Sequence, residues 1–339
     1  MGEIKLLDCT LRDGGYINEW NFGSGAIRDI SQKSTEAGSD IVELGFLRDT
    51  QYEENIAVFQ DIKQTRTFMS ENNKKTRYAV MCEAVNPLPL KKISDRKDGD
   101  VEIIRVIVWK RLLLEGIEYC RGIAEKGYKL CVQPNRVDQY SEEEFIDMVC
   151  RFNELNPFAL YIVDSFGVLD KKELLHYADL ADQYLKDGVA LGYHGHNNLM
   201  QAYGTAQGFL EKEYIRDLFL DASVYGAGRG AGNLNIELIA KYLNESKKTA
   251  YRLEDYIYIY DKYIKDIYRR EQWGYSTAYY LTALNRCNPM YGRYYTVEKQ
   301  LDAFEIQSVL QILSGEEKIR FSVNTAEMAY KKYLNSVSG

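Results

Sequence analysis

What most constrains the fold is a series of eight short apolar, β-branched segments, each bounded by turn residues and separated from the next by a stretch of helical periodicity. They run from Ile4 to Asp8, Ile41 to Gly45, Arg77 to Cys82, Ile103 to Val108, Lys129 to Pro134, Leu160 to Asp164, Val189 to His194 and Leu218 to Ser223. A spacing of about 25 to 35 residues is that of a strand, a crossover helix and two short loops. Eight such units in a row fit a closed barrel better than an open sheet, so the sequence predicts an α/β chain folded as a TIM (β/α)8 barrel over residues 1–245. The intervening segments Ala26 to Ala37, Leu112 to Lys126, Glu142 to Leu155, Lys171 to Leu185 and Leu199 to Glu211 space apolar residues three and four apart and are predicted as outer helices. Ser141 with Glu144 forms a capping-box pattern, and Gly38, Gly127 and Gly188 fall where helices end.

Composition changes after the barrel. Of 28 tyrosines, 14 fall within residues 246–339, a stretch with helical patterning and no strand series. Tyr-rich amphipathic helices cover something, and the expectation is a helical C-terminal extension packed on the barrel mouth or on a dimer partner, with a homodimer formed through it.

The charge balance, 43 Lys and Arg against 50 Asp and Glu for a net −7, lacks the cationic surface that nucleic acid or anionic membrane requires. No apolar run reaches the roughly 18 residues needed to cross a bilayer, and the start of the sequence shows no signal-peptide core, so a cytoplasmic location is expected. Six scattered cysteines without a C-x-x-C pair read as reduced, structural thiols.

In a TIM barrel, chemistry gathers at the C-terminal ends of the strands. His194 and His196, two of only three histidines, sit two apart at the end of the seventh strand, so both imidazoles project to one side and can share an ion. A divalent metal needs a further, preferably anionic, ligand. Asp13, just beyond the first strand, is the candidate, and Asn233, at the far end of the loop Gly226 to Gly232, could add an oxygen. A pair of satisfied surface histidines is the bland alternative, made less attractive by Asp13 opposite. The third histidine, His176, lies in a helical run and is expected to be structural. Arg12 calls for an anion to hold, whether a substrate carboxylate or a developing enolate, and a salt bridge to Glu43 on the second strand would orient it. The glycine loop matches a dinucleotide fingerprint only weakly and reads instead as a close-approach turn.

Together, Leu11-Arg12-Asp13-Gly14, His194-Gly195-His196-Asn197-Asn198 and Gly228-Arg229-Gly230-Ala231-Gly232-Asn233 resemble the HMG-CoA lyase-like, or DRE-TIM, metallolyase superfamily, and within it the 4-hydroxy-2-oxovalerate aldolase branch. The resemblance spans about residues 3 to 285 and implies a barrel that makes or breaks a carbon–carbon bond next to a carbonyl with a divalent cation. It implies Asp13, His194 and His196 as metal ligands, Arg12 as the enolate-stabilising arginine and Glu43 as the glutamate after the second strand. It further implies Asn233 as the asparagine that is a ligand in the lyase branch, and Tyr275, in Gly274 to Tyr279, as the aldolases' catalytic tyrosine. One position departs: the aldolases carry a histidine base three residues after the metal aspartate, where this chain has Tyr16. Tyr16, Tyr275, a metal-bound hydroxide or a substrate group are the candidate bases, and an unperturbed phenol serves only if the metal or Arg12 lowers its pKa. Nor does the C-terminal tail match the module through which the aldolases engage a partner dehydrogenase.

The expected activity is a class II-type aldolase or lyase acting on a 4-hydroxy-2-oxo acid through a pyruvate-type enolate. Mn or Mg is the expected metal, with Co or Zn as alternatives. Arg48, Gln133 and Asn135 suit a polar substrate chain. The alternatives are a Claisen-type synthase joining an acyl-CoA to a 2-oxo acid, a non-haem iron oxygenase with the same ligand types, and a catalytically inert metal-binding barrel.

Overall fold

A computed structural model describes residues 2–70 and 75–337. The eight apolar segments form the parallel strands β1 (Ile4–Asp8), β2 (Ile41–Leu47), β3 (Arg77–Glu83), β4 (Ile103–Trp109), β5 (Lys129–Asn135), β6 (Ala159–Asp164), β7 (Ala190–Gly195) and β8 (Leu218–Ala222). Each pairs with the next, and β8 returns to β1 with Leu218 opposite Ile4, which closes the sheet and leaves no barrel edge. A two-residue strand, Val58–Phe59, adds to the end of β2 and was too short for its period to be read. The fold is therefore the expected TIM barrel.

The outer helices span Ser24–Glu36, Leu113–Glu125, Glu142–Asn153, Lys171–Tyr184, Ala202–Glu211 and Ile236–Ser246. Ser141 and Glu144 form both halves of a capping box, and Gly38, Gly127 and Gly188 take φ of 91°, 84° and 83° just past their helices. The crossovers from β2 to β3 and from β3 to β4 contain no α-helix among the described residues, and their helical turns are of the 3-10 type, Ile62–Phe68 and Leu90–Lys92.

Alternation along the strands decides what the barrel encloses. Ile41, Ile103, Cys131, Ala159, Ala190 and Phe219 belong to one apolar cluster. Their neighbours Val42, Ile104, Val132, Leu160, Leu191 and Leu220 pack in the other large cluster, with the outer helices. Two residues further along each of four of these strands, toward the mouth, stand Glu43, Arg105, Gln133 and Asp221, all buried. The barrel interior is thus apolar at its base and charged below its mouth.

Beyond Ser246, a helix over Leu253–Ile259 runs through a π turn, Tyr260–Ile264, into Lys265–Arg270. Helices Thr277–Leu284, Pro289–Val297, Ala303–Ile312 and Val323–Val337 follow and share a core of their own around Leu281, Tyr291, Tyr295, Ile306 and Leu310. Tyrosine hydroxyls fasten this region to the barrel: Tyr251 donates to Asp40 Oδ2 at 2.7 Å and Tyr263 to Asp29 Oδ2 at 2.6 Å, while Tyr256 and Ser39 share a 2.7 Å hydrogen bond. Among the described residues no helix is long and apolar enough to cross a membrane.

Candidate metal centre

The two-residue period of β7 carries the inward side of the barrel through Ala190 and Gly192 to His194, and on to His196 just past the strand. Gly195, between them, makes room for a neighbouring side chain. A Cβ on it would lie 2.1 Å from the hydroxyl of Tyr193, which shares a 2.9 Å hydrogen bond with Thr205. Asp13 stands in a tight turn after β1, with its amide donating to the Cys9 carbonyl at 2.8 Å and the indole of Trp20 donating to the Arg12 carbonyl at 2.7 Å. One ligand-type atom from each of Asp13, His194 and His196 lies within 4.8 Å of the others, and all three residues are buried.

Asn233 reaches this cluster as well. Its Nδ2 donates to Asp13 Oδ2 at 2.8 Å and to the Ala227 carbonyl at 2.9 Å, while its Oδ1 is buried without a donor. Gly228 permits the approach, because a Cβ there would sit 2.3 Å from Asn233 Nδ2 and 2.9 Å from Asp13 Oδ2.

Behind the cluster runs a continuous buried chain of charge. His194 Nδ1 contacts Asp221 Oδ2 at 2.9 Å, and Asp221 also accepts from Arg105 Nη2. Arg105 Nη1 donates to Glu43 Oε2 at 2.8 Å, the same oxygen accepts from Arg12 Nε at 2.7 Å, and Arg12 Nη1 donates to Asp13. The chain therefore begins and ends on residues of the cluster, and its carboxylate next to His194 fixes the ring so that Nε2 is left for the site. Arg105 and Asp221 escaped the sequence reading as partners; the available signal was their place two residues beyond inward-facing Ile103 and Phe219.

Burial opposes the charge on Arg12, but Glu43 and Asp13 outweigh it and raise its pKa. Burial likewise works against an ionised Asp13, yet the Arg12 guanidinium above all holds its carboxyl well below the usual range. Desolvation pushes the His196 imidazole down to about 3, so the ring is neutral at physiological pH. An anionic oxygen beside a neutral imidazole, with a second imidazole oriented by Asp221 and an unused amide oxygen in reach, is a donor set that fits a divalent cation.

The cluster opens on a narrow cavity of about 40 Å³ lined by Arg12, Tyr16, Gln133, Asn135, Ser165 and Arg229 among others. Past Tyr16 and Arg229 lies a second chamber of about 190 Å³, walled on one side by the barrel loops and on the other by Trp273, Tyr279, Met290 and Arg293 of the C-terminal region. Tyr16 packs edge-on against Trp20 and Phe46, and its phenol pKa is raised, first by burial and then by Glu83. Without a bound cation Arg12 therefore does not supply the lowering that a base at this position needs, and the phenol stays protonated at neutral pH. Tyr275 is 59% exposed and lines neither chamber, whereas Tyr279 lines the outer one. Arg48 pairs with Glu83 at 3.0 Å and lines a separate cleft, and His176 is half exposed beside Glu142.

If Asp221 orients His194, Asp221→Asn is expected to weaken divalent-metal affinity by about 10- to 100-fold. Competitive chelator titration measures this, and an unchanged affinity would remove that role.

Fold and site together define a class, a TIM barrel with two imidazoles and a carboxylate gathered at its mouth. The HMGL-like family model matches residues 3–259, and the chain belongs to the HMGL-like family. It is 24% identical over 247 residues to 4-hydroxy-2-oxovalerate aldolase of Geobacillus genomosp. 3, which covers 71% of this chain and 70% of that protein. To oxaloacetate decarboxylase of Mycobacterium tuberculosis it is 25% identical over 244 residues, covering 71% and 70%. The solved N-terminal domain of a candidate aldolase from Bacteroides vulgatus matches with a TM-score of 0.72 at 23% identity, covering 87% of this chain and 98% of that one, which is a likeness of fold. The first of these relatives is named as an aldolase, a carbon–carbon lyase.

Proposed function

We propose that the protein is a divalent-metal-dependent lyase that breaks or forms the bond between C3 and C4 of a 4-hydroxy-2-oxo acid by way of a pyruvate-type enolate. The observation that carries this reading is the placement of Arg12 in the cavity wall beside Asp13, His194 and His196, with its charge held by Glu43. Asp13, His194 and His196, with Asn233 as a further oxygen donor, would hold the cation, which when bound would supply Lewis acidity to the 2-oxo acid. Arg12 spends Nε and Nη1 on Glu43 and Asp13, and no hydrogen bond to protein takes its Nη2 among the described residues, which leaves a permanent cationic donor for the enolate oxygen. Gln133, Asn135 and Ser165 give the wall its neutral polar groups. In cleavage the C4 hydroxyl gives its proton to solvent water as its oxygen becomes the aldehyde carbonyl and the C3–C4 electron pair passes to the enolate; Tyr16, protonated, then gives its proton to the enolate carbon and regains one from solvent. Tyr275 has no role in this reading because it lines neither chamber.

Exchange of pyruvate methyl protons in deuterated water, followed by mass spectrometry with Mn, Mg, Co and Zn in turn, tests it without knowledge of the aldehyde half. Metal-dependent exchange is the expected result, and absence of exchange with all four metals overturns the reading. The protonated Tyr16 favours a second reading, loss of CO2 from a 2-oxo acid with a carboxylate on C3, which needs a proton donor and no base. CO2 release from oxaloacetate above the rate of metal alone distinguishes it.

A further inference from the structure

Arg229 stands at the neck between the two chambers and lines both. Its guanidinium lies over the Tyr16 ring, 5.2 Å from the centroid. Its Nε is buried and has no hydrogen-bond partner, and no ion pair joins it to a carboxylate among the described residues. The other arginines of these walls are engaged: Arg12 with Asp13 and Glu43, and Arg293 with Glu271 at 2.8 Å. Beneath them Arg105 is held by Glu43 and Asp221. A guanidinium without a hydrogen bond or an ion pair to protein, its Nε buried, is an open fork shaped for two parallel hydrogen bonds to one carboxylate.

The charge count agrees. In the inner cavity and the layer beneath it Arg12, Arg105 and Arg229 face Asp13, Glu43 and Asp221, which cancels; in the outer chamber Arg293 pairs with Glu271 and Glu19 is exposed to solvent, and imidazoles that hold a metal are neutral. A divalent cation then leaves two positive charges in a largely buried site, and a 2-oxo monocarboxylate neutralises one of them. Of the three arginines, Arg229 is the one without a carboxylate partner among the described residues, and it stands at the neck, on the path from the metal cluster to the outer chamber, where the part of the substrate beyond C4 would lie.

We infer that Arg229 binds a second carboxylate, carried on the aldehyde half of the substrate, so that the substrate class is a 4-hydroxy-2-oxo acid with two carboxylates. This rests on the lyase reading above. It assigns Arg229 to substrate selection rather than to bond cleavage.

The test compares two ligands with the same carbon chain, 2-oxoglutarate and 2-oxopentanoate, which differ by a carboxylate in place of a methyl group. Both are titrated calorimetrically into the full chain loaded with Mg. The wild type is expected to bind 2-oxoglutarate at least about tenfold more tightly, as one charge-assisted contact provides. In Arg229→Gln that ratio is expected to fall toward one, and in Arg229→Lys to be partly kept. Because the readout is a ratio, a general weakening of both ligands does not mimic it. A ratio near one in the wild type overturns the proposal even if Arg229→Gln fails to fold, and so does an unchanged ratio in that variant. The pyruvate exchange experiment separates the two layers: exchange with a flat ratio removes the second carboxylate alone, whereas no exchange with any metal removes the lyase reading on which it rests.

Discussion

Arg12→Lys is expected to lower turnover by about 10²- to 10³-fold, the usual cost of removing one preorganised donor from a developing oxyanion, while bound metal stays near the wild-type level. Arginine does three things at this position at once. Nε meets Glu43 at 2.7 Å, Nη1 meets Asp13, and the remaining nitrogen is left for a ligand. A lysine ammonium keeps the charge but is a point donor on a flexible stem, and beside two buried carboxylates it will settle between them and withdraw from the cavity. Asp13, His194 and His196 remain in place, so affinity for the metal survives. The loss belongs to the transition state, and kcat and kcat/KM should therefore fall together. Steady-state kinetics alongside metal analysis of the same preparation provides the check. Unchanged turnover would sink the assigned role, and loss of metal in parallel with activity would make Arg12 a support for Asp13 instead.

How much of this was legible in the sequence follows from what each feature depends on. The strand series could be read because parallel strands covered on both faces run apolar and turn residues bound them. The pairing of His194 with His196 could be read because a period of two is independent of the rest of the fold. Bringing Asp13 to them required only closure of β8 onto β1, which the count of eight implies. Arg105 was hidden because a lone charge inside Ile103 to Val108 looks like a strand defect until its partners on β2 and β8 are known. Arg229 was hidden within a glycine loop whose shape was legible but whose arginine was not, since the direction of a loop side chain is set by tertiary contacts. The likeness around Tyr275 described a local string of residues, and local strings do not determine how a helical extension docks on a barrel. The titration of Tyr16 depended on burial and on Glu83, 67 positions away in the chain.

The buried chain carries the other large effect. Arg105→Met is expected to destabilise the metal-free protein by about 3–5 kcal/mol, the range for deleting one partner from a buried ionic network. Arg105 is 0% exposed and stacks over the Tyr161 ring at 4.7 Å. Methionine replaces part of its volume and keeps a favourable contact with the ring, so a cavity contributes little to the loss. What remains is Asp221 with only the His194 imidazole and Glu43 with only Arg12, two carboxylates now short of charge in a dry interior. Denaturant titration of the apo forms measures the difference without the contribution of metal binding. A loss under about 1 kcal/mol would mean that water reaches these carboxylates and that the chain is not a closed network. Adding Asp221→Asn and Glu43→Gln to Arg105→Met should recover part of the stability, because the uncompensated charges go with their partner, and non-additivity of that kind marks groups acting as one unit. The same triple variant should bind metal more weakly than the wild type, since the network ends on His194 and Asp13 and orients both. The barrel gives up stability that an apolar layer would supply, and in return Asp13 and His194, 181 positions apart in the sequence, are held in fixed register, close enough to share one cation.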